Sequence, residues 1–486
     1  MSSVVSTRLE EDLLGTLEVP ADAYYGIQTL RALKNFNLSG VPLSEFPELV
    51  IALAMVKQAA ADANHELGYL NSVKHAAITE ACTRIIGGEF HDQFVVDMIQ
   101  GGAGTSTNMN ANEVIANLGL EAMGRAKGEY QYLHPNNDVN MAQSTNDAYP
   151  TAVRLGLLLM QKGLLESLEK LVEAFSAKAS EFDHVLKMGR TQLQDAVPMT
   201  LGQEFRAFAN TLRRELEHLR VLAPQLLGEV NLGGTAICTG INADPAYQGL
   251  AVQRLATISG QPVRPAADLI AATPDMGDFV AYSGMLKRLA VSLSKISNDL
   301  RLLSSGPRAG INEINLPPCQ PGSSIMPGKV NPVIPEAVNQ VAFKVIGNDA
   351  ALTFAAEAGQ LQLNVMEPLI TYNLFESIRL LQRAMDMLRE QCVVGITANE
   401  QRCRQLMESS IGLVTALNPY IGYENASRIA RQALSNGRGI LELVREQGLL
   451  DEETLAEVLR PENMIAPRLL PVRKGSKEGK AVDETV

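Results

Sequence analysis

The sequence predicts an all-α fold organised around a long helical bundle. Long segments carry apolar residues at steps of three and four, helix breakers rarely interrupt them, and the two-residue alternation typical of strands is scarce. The most regular segment places its apolar residues at Leu286, Leu289, Leu293, Ile296, Leu300 and Leu303. A helix of this length is stable when its apolar stripe packs against neighbouring helices, so we expect a bundle.

The elements follow in chain order from the same patterns. The first forty residues hold the one strand pattern, a short hairpin near Leu13 to Val19. The first long helix has its stripe at Val153, Leu157, Met160, Leu164, Leu168, Leu171 and Phe175. The second has its stripe at Leu201, Phe205, Phe208, Leu212, Leu216, Leu219, Leu222 and Leu226. The regular segment above is the third.

Two further helices complete the bundle. One begins with Pro335 and Glu336 in its first turn, where proline is favoured, and runs towards Ala356. The other spans about Ile370 to Leu388. Polar stretches at 146–150 and 397–399 predict three domains. These are a mostly helical N-terminal domain (1–146), the central bundle (147–398) and a small helical C-terminal domain (399–486) that ends in a mobile tail.

Composition narrows the class of protein. The chain has 486 residues, 46% of them hydrophobic and 20% charged, which is typical of globular proteins. A formal net charge of −12 argues against binding to nucleic acid or anionic membranes. The five cysteines and six histidines show no metal-ligand spacing, so we expect reduced thiols, no metal site and a cytoplasmic location. No apolar run is long enough to span a membrane.

One loop carries the strongest chemical signal. The run Gly-Ser-Ser-Ile-Met-Pro-Gly-Lys-Val-Asn-Pro, from Gly322 to Pro332, places two hydroxyls beside Lys329, immediately before a helix. A serine hydroxyl is a poor base at neutral pH unless its oxyanion is stabilised by a cation, backbone N–H groups or a helix N-terminus. The loop therefore suits proton abstraction, although serine, proline and glycine are also common in loops that merely cap helices.

Three other polar segments lie between apolar helices. They are the Gly-rich run at 100–113, the Gln-Ser-Thr-Asn-Asp run at 143–147 and the Gly-Arg-Thr-Gln run that opens 189–196. Each is compatible with a plain helix cap, by Thr105 or Ser106 in the first and with Asp147 in the first turn of the second. Together with the loop they supply many neutral donors and few cations, which suits a small dicarboxylate.

These residues resemble the aspartase/fumarase superfamily. The run from Gly322 to Pro332 matches its mobile loop, and its other signature regions match Gly104-Thr105, Ser144-Thr145-Asn146 and Thr191-Gln192. The similarity extends from about Glu10 to about Pro467. It implies an all-α, three-domain fold, and a homotetramer whose central helices associate and whose active sites each draw segments from three subunits.

The resemblance also implies an activity, the reversible elimination of ammonia from L-aspartate to give fumarate through an enediolate. Ser323 would then be the base. The β-carboxylate would be held by Thr105, Ser144, Thr145, Thr191 and Ser324. Lys329 and Asn331 would hold the α-carboxylate, while Asn146 and Gln192 would contact the amino group. No organic cofactor is implied, and catalysis by serine needs no metal.

Two alternatives stay open at this point, a class II fumarate hydratase and a catalytically silent structural tetramer. Many superfamily members carry His where this chain has Gln192. Expelling hydroxide from malate needs acid assistance that such a His can organise, whereas ammonia departs without it. Gln192 therefore favours the ammonia-lyase. Glu336, which partners that His in hydratases, is expected to bond locally or to serve the helix N-terminus.

Overall fold

The computed structural model describes residues 6–467, which form two compact units. The first unit holds the residues up to Leu171, those from Thr211 to Asn298 and those from Ile334 to Leu388. The second unit holds Val172 to Asn210, Asp299 to Val333 and the residues from Arg389 onward. The division into domains 1–146, 147–398 and 399–486 stays a prediction beside this description.

The described residues are mainly helical, which confirms the predicted all-α class. The helices are α1 (Ile27–Asn35), α2 (Pro47–Glu66), α3 (Ser72–Ile86), α4 (Thr105–Ala122), α5 (Thr145–Glu181), α6 (Leu201–Leu227), α7 (Tyr247–Ser259), α8 (Gly277–Leu303), α9 (Val333–Glu357), α10 (Glu367–Gln391), α11 (Glu400–Ser409), α12 (Val414–Ile421), α13 (Tyr423–Asn436), α14 (Ile440–Glu446), α15 (Glu452–Val458) and α16 (Pro461–Met464). A π-helical turn spans Pro135–Val139. Short 3₁₀ turns occur at Leu43–Glu45, His91–Gln93, Val393–Gly395 and Ile411–Leu413.

The strands form small two-stranded ladders. They are β1 (Thr7–Asp12) with β2 (Gly15–Pro20), β3 (Leu186–Thr191) with β4 (Gln194–Thr200), β5 (Glu229–Val230) with β6 (Arg264–Pro265), and β7 (Ile314–Asn315) with β8 (Thr397–Ala398). The β5–β6 pair is parallel and the other three pairs are antiparallel. The β1–β2 hairpin turns at Leu13 and Leu14, which confirms the hairpin predicted near Leu13 to Val19.

The expectation that strands would be confined to the first forty residues is wrong. The β3–β4 hairpin occupies a segment for which the sequence favoured a helix cap. Its turn residues, Gln192 and Leu193, both have positive φ, 54° and 61°. Two successive positive φ values are typical of the tight turns that match the twist of a hairpin. A Gln-Leu pair gives no sign of such a turn, because Asn and Gly are the residues that favour it.

The predicted apolar stripes are buried along α5 and α8. Every residue of the α8 stripe is at most 5% exposed, and every residue of the α5 stripe is at most 7% exposed. The α6 stripe is buried as far as Leu219, but Leu222 is 41% exposed and the buried positions are Ala223 and Leu227 instead. A helical turn of 3.6 residues requires steps of four at this point, which the predicted spacing did not follow.

The C-terminal part of the second unit is built from short helices. The helices α12 to α15 share an apolar cluster that includes Leu417, Ile429, Leu443, Leu455 and Val458. This agrees with the helical character expected of the chain after residue 399. In the part of the chain that the structure describes, no helix combines the length and apolar character needed to cross a bilayer.

Candidate active site

The N-terminus of α5 presents the predicted Ser144-Thr145-Asn146 segment. The Ser144 hydroxyl accepts a hydrogen bond from the Asn146 N–H at 3.2 Å, and the Asp147 carboxylate accepts one from the Ser144 N–H at 2.9 Å. This reciprocal pair is the arrangement of a capping box, so the cap expected for this segment is confirmed. It fixes the first turn of α5, and with it the backbone that carries the Thr145 hydroxyl.

Asp147 also ties a neighbouring loop to this helix end. Its second carboxylate oxygen accepts hydrogen bonds from the N–H groups of Gly233 at 3.1 Å and Thr235 at 2.8 Å. Burial raises the pKa of Asp147 to about 6, and these backbone donors, the Ser144 N–H and the charge of Lys57 act in the opposite direction. A fully buried carboxylate with three backbone donors is a structural anchor, so Asp147 holds the loop beside Ser144 and Thr145.

Asn146 is engaged by the same loop. Its side-chain amide donates to the Ala236 carbonyl at 2.7 Å, while its own carbonyl accepts from the Asn231 side chain at 3.0 Å. Sequence reasoning missed this loop, because residues 231–242 carry neither a charge nor a distinctive motif before Asp244. The predicted contact of Asn146 with an amino group stays a prediction.

A cavity of about 420 Å³ opens beside this helix end in the first unit. Its lining is Asn108, Met109, Asn136, Asn140, Ala142, Gln143, Ser144, Thr145, Thr235, Ala236, Ile241 and Asn242. None of these side chains is charged, and amides and hydroxyls predominate. Such a lining can bind an anion through neutral hydrogen bonds.

A buried lysine lies behind the lining. Lys57, on α2, is 0% exposed, and its ammonium donates to the side-chain oxygens of Asn108 at 2.6 Å, Gln143 at 2.8 Å and Asn140 at 2.9 Å. The Asn108 side chain in turn donates to the Thr145 hydroxyl at 3.2 Å. Sequence reasoning missed Lys57. The available signal was a lysine in the middle of an alanine-rich helix, with apolar residues directly before it.

Thr105 does not line this cavity. It is the first residue of α4, it is exposed, and its hydroxyl donates to the Gly102 carbonyl at 2.8 Å. The expected cap by Thr105 or Ser106 is wrong, because the N-cap position is Gly104, which has φ of 89° and no capping side chain. Glycine is required there, since an added Cβ would lie 2.4 Å from the Tyr149 ring.

Thr191 and Gln192 lie at the exposed tip of the β3–β4 hairpin, in the second unit. The base of the hairpin is fixed by a fully buried carboxylate, Glu313. It pairs with Lys187 at 2.8 Å and with Arg190 at 2.9 Å. The expected helix cap at 189–196 is therefore wrong, because the segment forms a hairpin. The ion pairs of Glu313 stabilise this hairpin, and the side chains of Thr191 and Gln192 are exposed at its tip.

The serine loop, Gly322 to Pro332, lies in the second unit and closes on itself. The Gly322 N–H donates to the Lys329 carbonyl at 2.6 Å, and the Asn331 side chain donates to the Gly322 carbonyl at 2.8 Å. An added Cβ on Gly322 would lie 2.7 Å from the Lys329 oxygen, so glycine is needed where the two ends of the loop meet. Lys329 and Ser324 are exposed on the resulting closed loop.

Ser323 occupies a distinctive position in this loop. Its hydroxyl oxygen accepts hydrogen bonds from the N–H groups of Ile325 at 3.2 Å and Met326 at 3.0 Å. Two backbone donors directed at one oxygen stabilise negative charge on that oxygen. The two N–H groups would therefore stabilise an alkoxide if the Ser323 hydroxyl lost its proton.

Each of the two units thus holds part of the predicted set. Ser144 and Thr145 share a cavity with amides that the sequence did not single out, and Asn146 lies next to them. Glu336 lies in the first turn of α9, as predicted. Within residues 6–467, no three His, Cys, Asp or Glu side chains are grouped so as to hold a metal ion.

Comparison with known proteins identifies the family. Residues 15–347 match the family model described as lyase, and residues 413–466 match the fumarase C C-terminus. The aspartate ammonia-lyase of Pseudomonas canavaninivorans is 78% identical over 473 residues, which cover 97% of this chain and 100% of that protein.

Two solved structures share the fold. The chain matches a fumarate lyase:delta crystallin from Brucella melitensis, bound to cobalt, with a TM-score of 0.92 and 59% identity over 95% of this chain and 100% of that one. It matches a class II fumarase from Schistosoma mansoni with a TM-score of 0.90 and 35% identity over 94% of this chain and 99% of that one. The chain therefore belongs to the aspartase/fumarase superfamily, and it is an enzyme of the ammonia-lyase class.

Proposed function

We propose that this lyase eliminates ammonia from L-aspartate to give fumarate, reversibly, with Ser323 as the base. The observation that carries the proposal is the pair of backbone N–H groups, of Ile325 and Met326, that point at the Ser323 oxygen. The names of the similar proteins support the substrate, since the relative from Pseudomonas canavaninivorans is an aspartate ammonia-lyase.

The chemistry proceeds in two steps. The Ser323 alkoxide removes a proton from the carbon next to the β-carboxylate, and the electron pair of that C–H bond moves into the carboxylate to form an enediolate. The electrons then return to form the carbon–carbon double bond, and the C–N bond breaks. The amine enters protonated and leaves as neutral ammonia, so no acid has to protonate the leaving group. The serine releases its proton to solvent.

Binding groups have to absorb the charge that develops in the first step. The proposal assigns the β-carboxylate to the hydroxyls of Thr105, Ser144, Thr145, Thr191 and Ser324. Lys329 and Asn331 hold the α-carboxylate, while Asn146 and Gln192 contact the amino group. The uncharged cavity beside Ser144 and Thr145 supports this division. Hydrogen bonds from neutral donors become stronger as negative charge develops on the enediolate, and such donors do not protonate the base.

We further propose a homotetramer in which each site takes segments from three subunits. Helix α9 supports it. Phe343 is 63% exposed, Ile346 is 37% exposed and Phe354 is 76% exposed, and they recur on one side of the helix. A monomer would leave these large apolar side chains in water, whereas helix association buries them. The three-domain division belongs to the same proposal.

We also propose that the enzyme works in the cytoplasm. The described part of the chain holds five free cysteines, and four of them are buried. Reducing conditions suit a protein that carries unpaired thiols.

A spectroscopic assay tests the substrate. Purified protein is given L-aspartate or L-malate, and the ultraviolet absorbance of fumarate is followed. We expect fumarate from aspartate. If fumarate forms from malate alone, the protein is a hydratase. If fumarate forms from neither compound, the protein is a catalytically silent scaffold. The neutral Gln192 already favours the first outcome, because it offers no acid for expelling hydroxide.

A further inference from the structure

Lys57 is a buried cation that the reaction above does not use. It lies on α2, its side chain is 0% exposed, and it lies behind the lining of the cavity that contains Thr145. Burying an ammonium without partners is strongly unfavourable, so a lysine in this place requires compensating contacts. Its contacts are three side-chain amide oxygens, and no carboxylate touches its nitrogen among the described residues.

The ammonium fixes the orientation of the amides around it. An ammonium can only donate hydrogen bonds, so the Asn108 atom that lies 2.6 Å from it has to be the oxygen. The nitrogen of the same amide then donates to the Thr145 hydroxyl at 3.2 Å and to the Asn140 oxygen at 3.1 Å, and that oxygen also accepts from Lys57. Lys57 therefore determines which group faces Thr145.

The orientation of Asn108 has a consequence for Thr145. A hydroxyl has a single proton, and the Thr145 oxygen already accepts from Asn108, so its proton has to be directed elsewhere. Thr145 itself lines the cavity. Thr145 is thus held as a donor towards a ligand in the cavity, which is the role that an anionic ligand requires.

We propose that Lys57 is a positioning residue for dicarboxylate binding, which acts through Asn108 to hold Thr145 as a hydrogen-bond donor and adds a buried positive charge behind an uncharged cavity. The inference rests on the proposed function, since it concerns the same carboxylate pocket. The role differs from a purely structural one, because replacing Lys57 would weaken ligand binding by more than any loss of folding stability explains.

The charges that face Lys57 agree with this role. Burial lowers the pKa of Lys57 to about 7, while the charge of Asp147, on α5, acts to raise it. The Cys82 thiol on α3 also faces Lys57, but burial raises the pKa of this thiol, so it is uncharged at neutral pH. The three amide oxygens also favour the protonated form, because a neutral amine has only two N–H donors. A bound carboxylate acts in the same direction as Asp147, so ligand and ammonium stabilise each other.

The test measures the affinity for succinate, an unreactive dicarboxylate, by calorimetry on the assembled enzyme. Lys57→Met removes the charge with little change of volume, and we expect succinate to bind about 10–100-fold more weakly. Lys178→Met is the matched control. Lys178 is also buried, at 9% exposure, but it contacts Glu181 and the Ile396 carbonyl, so its loss should leave succinate affinity unchanged.

A second variant separates an effect on succinate affinity from an effect on folding. Asn108→Asp keeps the shape and gives Lys57 a charged partner, but a carboxylate cannot donate to Thr145. We expect stability to be retained while succinate affinity falls about tenfold or more. Full retention of succinate affinity in this variant would overturn the proposal, and so would an equal loss in Lys178→Met.

A double-mutant cycle separates action through Thr145 from an independent effect. If Lys57 acts partly through Thr145, Lys57→Met combined with Thr145→Ala should weaken succinate binding by clearly less than the product of the two single effects, and the remaining effect of Lys57→Met is that of the lost charge. Effects that multiply in full would overturn the link. If the wild-type enzyme neither binds succinate nor releases fumarate from aspartate, the proposed function itself is wrong. If the wild type binds succinate and the variants bind it equally well, only the proposal for Lys57 is wrong.

Discussion

Single residues determine how negative charge is held in this protein. The Ser323 oxygen accepts two backbone N–H groups, and the Asp97 carboxylate in the first unit accepts five donors. The donors to Ser323 come from its own loop, whereas four of the five donors to Asp97 come from residues 38–40 and one from Ile99. In both places the donors are already directed at the oxygen. Donors fixed in advance stabilise charge more effectively than donors that must first reorganise.

Asp97 gives a prediction about pH. Burial raises its pKa, but the Ser39 hydroxyl and the N–H groups of Ile99, Gly40 and Leu38 outweigh burial, so the pKa is lowered below 3.8. A carboxyl with a lowered folded-state pKa stabilises the fold above its unfolded pKa and loses that contribution as pH falls through the folded value. We expect Asp97→Asn to reduce the free energy of unfolding by about 2–3 kcal/mol at neutral pH.

Denaturant titrations at neutral pH and below pH 3.8 check this expectation. The difference between wild type and Asp97→Asn should shrink at the acid end, whereas the exposed control Asp22→Asn should show little difference at either pH. A deficit of the same size at both values would mean that the charge of Asp97 is not what stabilises the loop.

At the scale of single residues, the sequence pointed to candidate site residues but not to the buried groups that hold them in place. Ser323, Lys329, Ser144 and Thr145 could be singled out as candidates because they fall in short motifs with recognisable donors, and their roles stay predictions. Lys57 could not, because its partners lie more than fifty positions away, at residues 108, 140 and 143. A periodicity pattern contains no information about which distant amide faces a buried cation.

Among the elements, the β3–β4 hairpin is held in a conformation that its own turn residues disfavour. Leu193 has φ of 61° and is 70% exposed. The strain of its left-handed backbone is therefore not offset by packing of its side chain. Glycine adopts this conformation without strain. We expect Leu193→Gly to raise the free energy of unfolding by about 1 kcal/mol.

Chemical denaturation of Leu193→Gly measures the effect. Leu222→Gly is the matched control, because Leu222 is also exposed but lies inside α6, where glycine lowers helix stability by about 1 kcal/mol. Opposite signs for the two substitutions would support strain at the hairpin tip. Destabilisation by both would show that the tip conformation is not strained.

Elements with long periodic patterns could be predicted, as could the β1–β2 hairpin, but the β3–β4 hairpin could not. The stripes of α5 and α8 are buried as expected because their period repeats over many turns. The hairpin was missed because its turn lacks Asn and Gly, and because Gly189 creates an irregularity in the ladder between Met188 and Arg190 that breaks the alternation. Local propensity was overruled there by the ion pairs of Glu313.

For the whole molecule, the proposed sharing of sites between subunits makes an arithmetic prediction. Ser323→Ala and Thr145→Ala are each expected to be nearly inactive. If a site takes Ser323 and Thr145 from different subunits, random mixed tetramers of the two variants contain both intact residues in about one quarter of their sites. Turnover should therefore recover to about a quarter of the wild-type value.

The mixed tetramers are prepared by joint unfolding and refolding of equal amounts, and turnover is compared with each variant refolded alone. Turnover equal to the mean of the separate variants would place both residues of a site in one chain. Size-exclusion chromatography with light scattering checks that the expected tetramer forms in every sample. The sequence could suggest this assembly only through resemblance, since no periodic pattern specifies which subunit supplies which segment.

The most direct measurement is the turnover of L-aspartate by Ser323→Ala in the assembled enzyme, with succinate affinity measured in parallel. Removing the proposed base should lower turnover by about 10²–10⁴-fold while succinate still binds, and the exposed control Ser435→Ala should leave both quantities unchanged. Near-normal turnover by Ser323→Ala would contradict the account, because another group would then be removing the proton.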